Sequence, residues 1–128
     1  MRKPDFNNIL KVLENKKPKR PTLFEFFLND PLYRKLADEK VLNSEDDLNE
    51  QKIIISAFDN AGYDYTTIMG SDFRFLTSER NREESVSLNE GGLIKDRKSL
   101  NKYDWMNPDN YDYSRLDILD DFLPEGMK

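Results

Sequence analysis

Between residues 5 and 16 the apolar side chains fall at Phe6, Ile9, Leu10 and Leu13, with Val12 beside them. Intervals of three and four place them on one face of a helix, and Asp5 stands where it can cap the start. The run Lys16-Lys17-Pro18-Lys19-Arg20-Pro21 ends it, because its two prolines force an extended turn. Residues 22–28 (Thr22, Leu23, Phe24, Glu25, Phe26, Phe27, Leu28) change the pattern to a short, aromatic, almost continuously apolar run. That predicts a strand buried on both faces, as in a parallel sheet. Asn29-Asp30-Pro31 stops the strand and starts a short helix over 31–38, with Leu32, Tyr33 and Leu36 on its apolar side.

Ser44 with Asp47 three residues on reads as a capping box, and it opens the strongest helix of the chain, 45–61. Leu48, Ile54, Ile55, Phe58 and Ala61 form its expected buried stripe. Gly62 suits the left-handed residue that closes a helix. Residues 63–69, rich in aromatic and β-branched side chains, read as a second strand. Strand, helices, strand is the order of a parallel βα unit. From residue 70 to 107 the chain turns polar and irregular. Within it, 85–88 and 93–95 flank Asn89-Glu90-Gly91-Gly92 and predict a β-hairpin. Residues 103–105 read as a third short strand or an anchored loop. A last helix is expected over 113–123, with Leu116, Leu119 and Leu123 on one face and Pro124 as its stop.

The chain has 128 residues, enough for one modest core. Charged residues make up 35%, yet eight Phe, six Tyr and one Trp argue against a disordered chain. With no Cys and no His, disulfides, thiolate chemistry and an imidazole base are excluded, and any metal would need carboxylate oxygens. The net charge of −5 disfavours nucleic acid and anionic membrane as partners. No apolar run reaches the roughly 20 residues of a membrane span, and Met1-Arg2-Lys3-Pro4-Asp5 leads into no apolar h-region, so the cytoplasm is the expected location.

Three stretches stand in a recognisable order: Ile9 to Pro21, closing on Pro18-Lys19-Arg20-Pro21; Leu23-Phe24-Glu25-Phe26-Phe27; and Ala57 to Tyr65, running through Gly62-Tyr63-Asp64-Tyr65. Together with Tyr103 to Pro108 and Leu123 to Lys128, this order resembles the start of the uroporphyrinogen decarboxylase-like family, which includes the cobamide-dependent methyltransferases. The resemblance implies an α/β fold: residues 1–128 as a single partial domain, the N-terminal fragment of a (β/α)8 TIM barrel whose loop insertion carries the hairpin. Such a barrel takes roughly 250 residues. It implies a lyase (porphyrin decarboxylase) or methyltransferase whose key Asp, or whose His/Cys zinc site, lies beyond Lys128. This chain would then not be active alone, and zinc or a corrinoid would come only with the missing part. Decarboxylase members bind tetrapyrrole carboxylates through an Arg-rich segment after the first strand. Here that place reads Glu25 to Asp30 without an Arg, which argues against uroporphyrinogen itself as the substrate.

No catalytic residue follows from the sequence. The candidates for a substrate cleft are Glu25 and Phe27 on the first strand and Asp72, Phe73 and Arg74 after the second, because barrel sites gather at the C-terminal ends of strands. Glu25 could serve as acid, base or ligand, or simply meet solvent or a cation. Arg74 could hold a carboxylate in bidentate fashion, or pair with Asp72 in a solvated loop. The run 16–20 reads as a solvated turn, the acids from Asp104 to Asp121 as helix-start charges and not a calcium loop, and Gly91-Gly92 as a turn and not a phosphate loop. An open sheet edge needs covering, so self-association or a partner chain completing the barrel is expected. A small independent enzyme pairing Glu25 with Asp72 is the remaining alternative.

Overall fold

The structure, a computed structural model, describes residues 2–76, 92–117 and 119–128. They divide into two compact units, one of residues 1–70 and 113–128, the other of residues 71–112.

In the first unit α1 (Asn7–Leu13), α2 (Asp30–Leu36), α3 (Glu39–Leu42) and α4 (Asn49–Ala61) follow in order, and α6 (Leu119–Phe122) comes near the C-terminus. α4 starts later than the capping pattern suggests. Ser44 does not cap it; Asp46 instead accepts the Leu48 N–H at 2.9 Å in the turn before. Its end is as expected: Gly62 takes φ +87° and reverses the chain. α2 and α3 pack against α4, held by Asn60, whose side-chain amide donates to the Leu36 carbonyl at 2.9 Å and to Asp38 at 3.1 Å. Arg34 ties α2 to α4 through Glu50 at 2.9 Å. The core is Ile9, Ile55, Phe58, Tyr63, Tyr65 and Met127, with Phe6, Leu28 and Tyr33 among the half-buried side chains around it.

The expected α/β barrel fragment is corrected here: there is no strand and no sheet among the described residues. Residues 22–28 and 63–69 do meet, with Glu25 tied to Tyr65 and Phe26 to Thr67. But the ties are made by side chains. The Tyr65 hydroxyl takes the Glu25 N–H at 2.6 Å and also its carbonyl, and the Thr67 hydroxyl takes the Phe26 carbonyl. With those groups satisfied by hydroxyls, no main-chain ladder forms. Nor is the run 22–28 buried on both faces: Phe24, Phe26 and Phe27 are 63%, 70% and 75% exposed. Of the expected hairpin, Leu93 to Lys95 make no ladder, and 85–88 with the turn's Asn89 to Gly91 lie outside the described residues. Residues 103–105 are not a strand either. The expected helix 113–123 is broken into a 3-10 turn (Ser114–Leu116) and the single turn of α6.

The C-terminal tail returns to the first unit and places Met127 in its core. The Phe6 N–H bonds the Gly126 carbonyl at 2.9 Å and the Thr66 N–H bonds the Lys128 carbonyl at 2.8 Å, while Met127 is 3% exposed. Gly126 takes φ +88°, and a Cβ there would stand 2.4 Å from the Pro4 carbonyl oxygen. Gly126→Ala is therefore expected to cost about 1–3 kcal/mol from the unfavourable backbone alone. Thermal melts of the two proteins would show it; equal midpoints would mean that the tail does not hold this turn.

The second unit carries α5 (Arg97–Lys102), absent from the sequence reading and opened by a reciprocal capping box in which Asp96 accepts the Ser99 N–H at 2.7 Å. Beyond it, edge-on rings form a chain: Tyr111 to Phe73 (5.2 Å), Phe73 to Phe75 (5.1 Å), Phe75 to Trp105 (6.2 Å) and Trp105 to Tyr103 (4.8 Å). Among the described residues no helix is long and apolar enough to cross a membrane.

Candidate functional site

The most organised polar site grows out of the turn that ends α4. Gly62 reverses the chain, and Tyr63 and Tyr65 then point into the core against Phe58, with ring centroids 4.9 and 5.9 Å away. Asp64, between them, turns the other way and is 1% exposed. One of its oxygens accepts the Asp5 N–H at 2.9 Å and a hydrogen bond from Arg20, and the other lies 3.6 Å from Arg2. Arg20 also donates to the Lys3 carbonyl at 3.2 Å. Beside this hub the buried Asn8 donates to the Asp5 carbonyl and accepts the Lys19 N–H, both at 3.1 Å. One carboxylate thus gathers the N-terminal residues, the Lys19-Arg20 turn and the end of α4.

A groove of ≈490 Å³ opens over the hub, lined by Lys3, Pro4, Asp5, Asn8, Lys19, Arg20, Glu125 and Gly126. Its charges are matched: Lys19 to Asp5 at 3.5 Å and Lys3 to Glu125 at 3.6 Å. The Asn7 amide, opposed by burial and aided by Asn7's backbone N–H and by Lys19, holds the Asp5 carboxyl below the usual range. The polar groups that line the groove are the carboxylates of Asp5 and Glu125, the ammonium groups of Lys3 and Lys19, the Arg20 guanidinium and the Asn8 amide.

A second groove of ≈260 Å³ lies beside α4, with Asp38, Asp59, Ser56 and Lys52 against Val41, Ile55, Phe122 and Pro124. Burial, and then the negative charge of Asp38, pushes the Asp59 carboxyl above its ordinary value. A carboxyl that binds its proton more tightly folded than unfolded makes folding take up a proton between the two pKa values. Stability therefore falls as pH rises from the ordinary carboxylate range through Asp59's raised value. Asp59→Asn is expected to stabilise the protein at neutral pH and to leave it unchanged below the ordinary carboxylate range. Urea midpoints at the two pH values test this, and an equal gain at both would remove the role of ionisation.

The candidates read from the sequence fall in both units. In the first unit Glu25 is exposed, and it is its main chain that Tyr65 holds. Burial first, and then the Glu25 charge, raises the Tyr63 phenol; burial likewise leads in raising Tyr65. Phe27 is exposed. In the second unit Asp72 and Arg74 are exposed and Phe73 is half-buried in the ring chain, its N–H donating to the Ser71 hydroxyl at 3.1 Å. Asp64, Asn8 and Arg2 had no part in the sequence reading of a site, and Arg20 was read as part of a solvated turn. The signal for Asp64 was its place between two aromatics just after a helix-closing glycine. Asn8 gave none.

No set of three or more His, Cys, Asp or Glu placed to hold a metal occurs among the described residues. Compared with protein-family models, curated proteins and solved structures, the chain matches none.

Proposed function

We propose that this chain is the N-terminal portion of a uroporphyrinogen decarboxylase-like enzyme, of the decarboxylase or corrinoid-linked methyltransferase type, and is not active alone. One observation carries the reading. Stretches far apart in sequence that carry the resemblance meet in one core: Ile9 from the first, Phe58, Tyr63 and Tyr65 from the third, and Met127 from the last. The second is tied to that core through the Tyr65 hydroxyl. In this reading the chain supplies one wall of a substrate cleft, with Glu25 and Phe27 of the first unit as contributors. Zinc or a corrinoid, where used, is held by the completing polypeptide, and the cytoplasm is the compartment. Nucleic acid and membrane are not partners, as the acidic balance suggests.

Native mass spectrometry on the chain purified gently from its host tests this. The expected result is a complex with a second polypeptide, decarboxylase or methyl-transfer activity in the complex, and none in the chain alone. A lone monomer that melts cooperatively and gains no activity from the host's extract would overturn it.

A second reading, a non-catalytic module that associates with itself or with a partner, is favoured by the exposure of Phe24, Phe26 and Phe27. In that case Phe26→Ser with Phe27→Ser should dissolve the association and leave the helical circular dichroism unchanged.

A further inference from the structure

We draw no further inference here: the strongest candidate, the exposed stripe of Phe24, Phe26 and Phe27 on the ladder-free segment of the first unit, carries nothing because nothing in the structure shows what covers it.

Discussion

Phe58→Ala is expected to lower the stability of the first unit by about 3–5 kcal/mol, the range for emptying a buried aromatic site. The ring has no exposed surface and stands at the meeting point of three tyrosines, with Tyr63, Tyr65 and Tyr33 centroids at 4.9, 5.9 and 6.1 Å. Truncation therefore removes dispersion contacts on several sides at once. Ile9, Ile55 and Met127 belong to the same buried cluster. Collapse into the space left would have to drag Tyr65 off the Glu25 main chain. A native domain has roughly 5–15 kcal/mol in all, and this core is small, so the variant should sit close to unfolding at room temperature. Urea unfolding followed by far-ultraviolet circular dichroism measures the effect. Phe26→Ser is the control, because Phe26 is 70% exposed and its loss should stay within about 0.5 kcal/mol. A Phe58→Ala midpoint no lower than that control would place the centre of the core elsewhere.

The sequence made α4 legible because its evidence is local. A period near 3.6 and a closing glycine need no knowledge of the rest of the chain, and both the helix and the left-handed Gly62 are present. The start of α4 was misplaced because Ser44 and Asp46 also fit a turn, and the turn won. The strand readings failed for a different reason. A side-chain pattern can mark a segment as apolar and β-branched, but a strand exists only when main-chain groups find main-chain partners. At 22–28 and 63–69 the hydroxyls of Tyr65 and Thr67 reach the Glu25 and Phe26 backbone instead. The parallel sheet that the pattern predicts for these two segments is not formed among the described residues. α5 was legible in principle, since Asp96 with Ser99 three residues on is a capping signal, but a polar surround hid it. The Asp64 hub was the least legible feature. Its partners lie 44 and 59 residues away, and nothing in a single sequence announces a pairing at that distance. The groove over the hub shares this blindness, because Glu125 and Gly126 enter it only through the return of the C-terminal tail to Phe6.

Asp64→Ala is expected to cost about 3–5 kcal/mol, the cost of leaving one member of a buried ion pair without its partner. The carboxylate is 1% exposed and Arg20 26%, so most of the guanidinium's surroundings are protein and not water. One of its nitrogens is already buried without a hydrogen-bond partner. The Asp5 N–H would lose its acceptor in the same step. Asp64→Asn separates these effects: it keeps an acceptor for the Asp5 N–H and removes only the charge, so its cost should fall between that of wild type and Ala. Arg2→Ala should cost less than 1 kcal/mol, because Arg2 is 37% exposed and stands 3.6 Å from the carboxylate. The decisive comparison is the double variant Asp64→Leu with Arg20→Met. Replacing both members of a buried pair by apolar side chains is often neutral. The double variant should therefore be more stable than the sum of the Asp64→Leu and Arg20→Met single effects predicts, by a coupling of about 0.5–3 kcal/mol in the mutant cycle, and more stable than Asp64→Ala. Recovery would assign the loss in Asp64→Ala to an abandoned buried cation. If the double variant is as unstable as the single, the hub holds the fold through the Asp5 N–H and the N-terminal residues that Asp64 gathers, and the Arg20 pair is secondary.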